Sequence, residues 1–140
     1  RTLRGFAVLV EKDFCGFGHP FAMRSGSKGE GESGPVFEQF LECVQSLRRG
    51  APSSFEFTEA LLALLKEHVY SRFFGNFLRD SDAERCGDDA VSVWRVVSGD
   101  PGRFSSPVYD SSASRRLPVL SKPSADVELE LLRERIRALE

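Results

Sequence analysis

The sequence predicts one mainly α-helical domain, followed by a linker and the start of a separate helix. Its 140 residues suffice for a single domain with its own core. Apolar residues recur at steps of three and four along most of the first eighty positions, which is the spacing of amphipathic helices. Phe is over-used, with 12 copies, which indicates a core of aromatic side chains carried on helices. We place the domain at residues 1–110, the linker at 111–125 and the last helix at 126–140.

The first predicted helix begins near residue 3. Its apolar positions are Leu3, Phe6, Ala7, Val10, Phe14 and Phe17. Residues 6–10 are apolar all round, so a buried strand is the alternative, and the length of the periodic stretch favours the helix. Gly16, Gly18 and Pro20 are expected to end it, because glycine tolerates turn conformations and proline cannot continue the hydrogen-bond ladder.

A loop and a second helix follow. Residues 24–34 are rich in Gly and Ser, which predicts a surface loop. Pro35 suits the first position of a helix, where its missing N–H costs nothing. One apolar stripe defines this helix, formed by Phe37, Phe40, Leu41, Val44 and Leu47. Gly50 and Pro52 are expected to close it.

The third predicted helix has a marked start. Thr58 is a residue type that caps helices, and Phe57 before it can pack on Leu62 as a hydrophobic staple. The broad apolar face of this helix contains Leu61, Leu62, Leu64, Leu65 and Val69. Such a face predicts a helix buried against the rest of the domain.

Shorter elements complete the predicted domain. A helical piece is expected at residues 74–78, and residues 81–84 form a capping box for one more turn that Gly87 would stop. Residues 91–97 are apolar and fit either a helix or a strand. From residue 100 to 126 the chain is rich in Ser and Pro without a usable period, and the later half of this stretch is interpreted as a linker.

The last fifteen residues have the pattern of a coiled coil. Apolar residues follow a heptad spacing at Leu129, Leu132, Ile136 and Leu139. Glutamate and arginine pairs three residues apart, at Glu130 with Arg133 and Glu134 with Arg137, support a helix modestly. Two heptads are too few to be stable alone, so we interpret them as the start of a longer coiled coil that joins the protein to a second copy or to a related chain.

Composition and charge narrow the function classes. No apolar run approaches the roughly 20 residues that span a bilayer, and no signal peptide opens the chain. The three cysteines lie far apart, and with the two histidines they match no common zinc spacing, so we expect no disulfide and no metal. This cysteine usage is typical of the cytosol. The chain begins with Arg1 rather than Met, so we expect an internal or processed piece of a longer protein.

The charge is distributed unevenly. Residues 1–28 carry five basic side chains against two acidic ones, whereas the remainder carries 14 basic and 19 acidic side chains. A basic segment on an acidic protein suits an anionic ligand, and a solvated helix face is the alternative interpretation.

Several segments resemble, in order along the chain, the part of myotubularin phosphatases that follows the active-site loop. They are RTLRGF at 1–6, VLVEKDF at 8–14, FGH at 17–19, PVF at 35–37, QFL at 39–41, CV at 43–44, FEF at 55–57, HVYS at 68–71, FGNFL at 74–78, VSVW at 91–94 and PVY at 107–109. The resemblance covers roughly residues 1–110. It implies that this piece is the helical part behind the sheet of an α/β cysteine-phosphatase domain, similar to protein tyrosine phosphatases.

The resemblance also implies a chemistry. In that family the cysteine of a Cys-x5-Arg loop attacks phosphorus, and the resulting phosphocysteine is hydrolysed by water. The substrates are phosphatidylinositol 3-phosphate and 3,5-bisphosphate, cleaved at position 3 on endosomal membranes, and no cofactor or nucleic acid is involved. The catalytic loop would precede Arg1, so we expect this chain alone to contain no catalytic residue and to be inactive. Catalytically inactive members also exist, so a pseudophosphatase or scaffold that works through the coiled coil is the alternative.

Arg24 is the candidate site residue. The segment FAMR at 21–24 is similar to a family stretch whose arginine contacts the substrate phosphate. Many members place a second arginine four residues earlier, where this chain has Pro20, so the pocket for the 5-phosphate is in doubt. The alternative for Arg24 is an exposed loop arginine, although its planar guanidinium suits a phosphate well.

The two histidines have weaker functional interpretations. His19 sits in a Gly-His-Pro turn, where we expect it to shape the loop, and a position near the substrate is the alternative. His68 follows two leucines on an apolar helix face and has no partner motif, which favours a hydrogen-bonded packing residue over a catalyst.

Cys43 and Arg49 have the spacing of a Cys-x5-Arg loop, but their context predicts a helix. A phosphate-binding loop needs convergent backbone N–H groups, and a helix uses those groups in its own hydrogen bonds. Cys43 also shares a predicted stripe with Val36, Phe40 and Leu47, so we expect a small buried thiol there.

Overall fold

The computed structural model describes residues 1–26, 34–85 and 90–112. These residues are mainly helical, as predicted. Seven α-helices are present among them: α1 Leu3–Val10, α2 Phe21–Arg24, α3 Val36–Gly50, α4 Glu59–Ser71, α5 Asp82–Arg85, α6 Val93–Gly99 and α7 Pro101–Phe104. A π-helical segment spans Glu11–Gly16, and 3₁₀ turns span Pro52–Ser54 and Gly75–Phe77. The described part contains one isolated antiparallel bridge, between Phe57 and Ser105, and no strand.

The predicted first helix is present but changes its geometry halfway. Thr2 caps α1 by accepting a hydrogen bond from the Gly5 N–H, and the helix continues into the π-helical segment. In that segment the Phe17 N–H donates to the Lys12 carbonyl at 3.1 Å, a step of five residues. Each such step inserts one residue per turn relative to an α-helix, which turns the residues that follow toward a different direction. The strand alternative for residues 6–10 is wrong, because they form α1.

Phenylalanine rings form the centre of the core, as the composition indicated. A series of ring contacts joins the N-terminal segment to α3 and to the second half of the chain, through Phe6, Phe14, Phe21, Phe37, Phe40, Phe57 and Phe77. Centroid distances along this series run from 4.6 Å between Phe6 and Phe57 to 6.1 Å between Phe6 and Phe40. These edge-to-face and offset contacts add specificity to the burial of large apolar surface.

Helices α3 and α4 pack against each other, and two expectations about them need correction. Thr58 occupies the N-cap position of α4 as expected, but its hydroxyl makes no capping hydrogen bond, because it donates instead to the Arg103 carbonyl at 3.0 Å. Cys43 is exposed rather than buried, since α3 turns Phe37 and Leu41 to the core and leaves the opposite edge of the stripe in solvent. Val36 and Leu47, which share that edge, are also exposed. The predicted helical context of Cys43 is nevertheless present.

The C-terminal half of the domain contains one element that the sequence analysis missed. Residues 91–97, ambiguous between helix and strand, lie mostly in α6, and helix α7 follows at once. Asp100 caps α7 by accepting a hydrogen bond from the Arg103 N–H, and Pro101 occupies its first position. A cap followed by proline is a recognisable start signal, but a helix of four residues is too short to show a periodic apolar face. Gly87, nearly all of the predicted linker and the predicted helix at 126–140 lie outside the described residues.

One glutamate links three separate elements. Glu11 Oε1 accepts hydrogen bonds from Asn76 Nδ2 and from Trp94 Nε1, each at 2.6 Å. The side-chain oxygen of Asn76 accepts in turn from the Val93 N–H at 2.8 Å, at the start of α6. Asn76 is buried and Trp94 is partly buried, so their donors depend on this acceptor.

Replacing Glu11 by alanine is expected to destabilise the fold. The change leaves the Asn76 and Trp94 donors without their acceptor, and an orphaned buried donor costs roughly 1–3 kcal/mol. We expect the free energy of unfolding to fall by about 2–4 kcal/mol, measured by urea denaturation. Lys12→Ala, at the exposed neighbouring position, is the control. Equal stability of the two variants would show that this hydrogen-bond network contributes nothing.

Candidate functional site

The segment that carries Arg24 folds into a tight turn followed by one helical turn. Gly18 has φ of 77°, a conformation that favours glycine and lets the chain reverse after the π-helical segment. The His19 N–H donates to the Phe14 carbonyl at 2.8 Å, and the Phe21 N–H donates to the His19 carbonyl at 2.9 Å. Phe21 is buried among the core rings and anchors α2 to the domain.

Arg24 is the last residue of α2 and is half-buried, not an exposed loop residue. Its backbone N–H donates to the Pro20 carbonyl at 2.9 Å, and its carbonyl accepts from the Gly34 N–H at 3.1 Å. The guanidinium lies close to Gly34, where a Cβ would come within 3.5 Å of Arg24 Nη1. The first and last residues of the predicted loop, Arg24 and Gly34, are therefore hydrogen-bonded to each other.

A narrow crevice lies beside this arginine, with about 10 Å³ of space, which is room for about one water molecule. Its lining includes His19, Phe21, Arg24, Gly34, Glu38 and Tyr70. Glu38 also interacts with Tyr70: burial raises the pKa of the Tyr70 hydroxyl, and the neighbouring carboxylate raises it further. The crevice thus contains one guanidinium, one imidazole and one carboxylate that already faces a phenol.

His19 packs between two phenylalanine rings and borders the same crevice. Its ring lies edge-on to Phe21 at 4.6 Å and to Phe14 at 5.4 Å. Burial lowers the pKa of the His19 imidazole, and the positive charges of Arg24 and Arg85 lower it further. Among the residues that the structure describes, Nε2 of His19 has no hydrogen-bond partner. His19 therefore has the packing expected of a residue that shapes the turn, and it also lies next to Arg24.

The other sequence candidates lie apart from this crevice. His68 Nδ1 is 2.8 Å from the Ser71 hydroxyl, and its ring packs edge-on against Phe74 at 4.7 Å, which confirms a hydrogen-bonded packing role. Burial raises the pKa of the Cys15 thiol to about 12, so it stays protonated and unreactive at neutral pH. Cys43 is exposed in the middle of α3, where backbone N–H groups are used within the helix.

Two residues from the second half of the domain hold the Arg24 segment, and the sequence analysis did not identify either. Arg85 donates to the carbonyls of Cys15, at 2.6 Å, and His19, at 2.7 Å. Asp80 Oδ1 accepts from the Met23 N–H at 2.8 Å. The contacts bridge 57 to 70 positions along the chain. Local spacing rules cannot find such pairs, although the predicted capping box at residues 81–84 did place a turn there.

This arrangement has the chemistry to bind an anion. The Arg24 guanidinium provides a fixed positive charge on a helical turn. The neighbouring His19 imidazole has a lowered pKa and adds no second positive charge at neutral pH. Within residues 1–26, 34–85 and 90–112, no group of three or more His, Cys, Asp or Glu side chains converges on a point. No helix in the same ranges is long and apolar enough to cross a membrane.

Comparison with known proteins supplies the family context. Residues 1–86 match the family model described as the myotubularin-like phosphatase domain. The chain is 41% identical over 139 residues to phosphatidylinositol-3,5-bisphosphate 3-phosphatase MTMR6 of Mus musculus, covering 95% of this chain and 22% of that protein. It is 44% identical to the Homo sapiens MTMR6, and 38% identical to the MTMR2 phosphatase of Bos taurus, covering 86% of this chain and 20% of each relative. The chain thus spans about a fifth of the length of these relatives.

The lowered pKa of His19 predicts a specific loss of stability in acid. Below its usual pKa of 6.5, the unfolded chain takes up a proton that the folded chain refuses, so stability falls as the pH decreases through this range. Between about pH 7.5 and about pH 5.5, we expect the Tm of His19→Gln to fall less than that of the original protein. His68→Gln is the matched control and should keep the original pH dependence, because it leaves His19 in place. Identical pH profiles for all three proteins would contradict the argument.

Proposed function

This chain belongs to the myotubularin-like phosphatase family, and we propose that it is the helical part of an enzyme that removes the 3-phosphate from phosphatidylinositol 3-phosphate and phosphatidylinositol 3,5-bisphosphate. The observation that carries the proposal is Arg24, half-buried on a braced helical turn next to a crevice. Relatives whose names describe phosphatidylinositol-3,5-bisphosphate 3-phosphatases support the enzyme over a catalytically inactive scaffold.

The proposal divides the chemistry between two parts of the protein. A Cys-x5-Arg loop outside this chain supplies the cysteine that attacks phosphorus, with the loop N–H groups holding the phosphate oxygens. The present chain supplies a cation that binds the lipid headgroup from the side. Cys15 and Cys43 take no part, because one is a buried thiol of raised pKa and the other lies on an exposed helix face.

Arg24 is suited to this role by its surroundings. A guanidinium forms charge-assisted, often bidentate hydrogen bonds with phosphate, worth roughly 1.5–3 kcal/mol each. The backbone hydrogen bonds to Pro20 and Gly34 hold both sides of the residue, so little backbone freedom is lost on binding. The pKa of His19 is lowered, so its imidazole stays neutral and accepts or donates a hydrogen bond without adding charge.

Pro20 sets a limit on how strongly a second phosphate is recognised. Members that carry an arginine four residues before the Arg24 position have two cations for the headgroup, whereas this chain has one there. We propose that it discriminates less between the bisphosphate and the monophosphate than those members do. Endosomal membranes, where these lipids occur, are the proposed site of action, reached as a peripheral protein.

Replacing Arg24 tests the proposed function. In the full-length protein, Arg24→Ala should lower kcat/KM about ten- to a hundredfold on both lipids, because a charge-assisted hydrogen bond is lost and 1.4 kcal/mol corresponds to one decade. Thermal stability should change little, since the guanidinium is only half-buried.

Arg49→Ala is the control for this experiment. Arg49 is exposed on α3 and pairs with Glu59, and its spacing from Cys43 is the formal Cys-x5-Arg pattern. It should leave the kinetics on both lipids unchanged. Unchanged kinetics for Arg24→Ala would refute the site assignment, and a large fall in Tm would make Arg24 a structural residue instead.

The C-terminal heptads support a second part of the proposal, association with another copy or with a related chain. A seam of Leu and Ile buries apolar surface between two helices. We expect the full-length protein to sediment as an oligomer, and Leu132→Asp with Ile136→Asp to shift it to a monomer. Arg133→Ala, off the seam, should sediment as the original does. Unchanged sedimentation of the double variant would place the association elsewhere.

A further inference from the structure

We propose that Arg85 and Asp80 are positioning residues, which brace the backbone of residues 15–24 so that Arg24 faces the substrate phosphate. The inference rests on the proposed function, since it gives Arg85 and Asp80 a role in that same site. Neither residue lines the crevice itself, and both hydrogen-bond to the backbone around it.

Arg85 supplies a second donor to two backbone carbonyls, because the Cys15 carbonyl also accepts from the Gly18 N–H and the His19 carbonyl from the Phe21 N–H. The last carbonyls of a helix have no partner within it, and the π-helical segment ends at Gly16. Arg85 Nη1 donates to the Cys15 carbonyl at 2.6 Å, and Nη2 donates to the His19 carbonyl at 2.7 Å. One guanidinium thus spans the reversal between the π-helical segment and α2.

Asp80 holds the other end of the same segment. A four-residue helix has almost no internal hydrogen bonds, so the N–H groups of its first turn need outside acceptors. Asp80 Oδ1 accepts from the N–H of Met23, the residue immediately before Arg24, at 2.8 Å. Asp80 thus ties the N–H side of this helical turn to the second half of the domain, in addition to the backbone hydrogen bonds within the turn and the one from Gly34.

The two contacts come from one compact unit, residues 79–85. Arg85 Nη2 also donates to the Arg79 carbonyl at 2.6 Å, and the Asp80 N–H donates to Glu84 Oε2 at 3.1 Å. The Arg85 guanidinium lies over the Phe21 ring, 5.5 Å from its centroid, and that ring is buried. Residues 79–85 are therefore held together by their own hydrogen bonds, and their Arg85 packs on Phe21 at the start of α2.

The geometry favours positioning over direct phosphate binding by Arg85. Both of its terminal nitrogens donate to backbone carbonyls at 2.6–2.7 Å, so the guanidinium already uses these nitrogens in hydrogen bonds with the protein. Arg85 contributes to the lowered pKa of His19, which places its charge close behind the crevice. Its action on the substrate is accordingly through Arg24.

The test uses the full-length protein and measures kcat and KM on phosphatidylinositol 3-phosphate, together with the dissociation constant for phosphatidylcholine vesicles that contain this lipid. Arg85→Met should lower kcat/KM about tenfold, chiefly through KM, and weaken vesicle binding by a similar factor. Arg85→Lys should recover part of the loss, because an ammonium still donates to carbonyls. Arg103→Met is the matched control, since Arg103 also stacks on a phenylalanine, Phe104, but is exposed and far from the segment in sequence.

Asp80 provides an independent pair of variants in case Arg85→Met fails to fold. Asp80→Ala removes the acceptor for the Met23 N–H, whereas Asp80→Asn keeps an oxygen at that place. We expect Asp80→Ala to raise KM and Asp80→Asn to restore it at least in part. Equal kinetics for Asp80→Ala and the original protein would overturn the proposal for Asp80.

A double-mutant cycle separates this inference from the proposed function. If Arg85 acts through Arg24, Arg85→Met should lower kcat/KM by a much smaller factor in an Arg24→Ala background than in the original protein. If the double variant instead loses kcat/KM by the product of the two single factors, the positioning role is overturned while Arg24 remains a substrate residue. An Arg24→Ala variant with unchanged kinetics and vesicle binding would instead refute the site itself, and the positioning role with it.

Discussion

A single carboxylate oxygen determines how the halves of this domain meet. Glu11 Oε1 receives two short hydrogen bonds, from Asn76 and Trp94, at the place where α1 gives way to the π-helical segment. Any other arrangement of the three segments would leave these partly buried donors and the carboxylate without partners, which is costly in free energy. The two hydrogen bonds therefore favour one arrangement of the segments. The course of the chain from Cys15 onward follows from that arrangement.

The aromatic core and the polar contacts have different tasks in this fold. Rings such as Phe14, Phe21 and Phe37 supply most of the buried apolar surface, and they tolerate small changes of angle because edge-to-face contacts are broad in energy. The directional contacts of Glu11 and Arg85 select among these packings. Burial therefore makes the domain stable, while a few hydrogen bonds across long sequence separations decide where the Arg24 segment lies.

Periodicity and composition predicted the helices, the phenylalanine core and the packing of His68, because each depends on residues near one another in sequence. The failures have a common cause. Thr58 and Cys43 were assigned from local patterns, whereas the approach of Arg103 and the orientation of α3 decided their surroundings. Arg24 was found only through the family resemblance, since one arginine in a polar loop has no distinctive pattern. Arg85 was beyond reach, because nothing in the sequence marks a side chain that binds carbonyls some seventy positions earlier.

The long reach of those contacts has a consequence for how the protein is made. Met23 gains its Asp80 acceptor 57 residues after it has been synthesised, and the Cys15 carbonyl gains Arg85 after 70. At a translation rate of about 5–20 residues per second, roughly 3–14 s of synthesis separate the segment around Arg24 from the two residues that brace it. Helix α3 is synthesised within that interval, so we expect the contacts of Phe37 with Phe14 and Phe21 to form before the brace, and the Arg24 turn to be ordered later, by closure of a long loop.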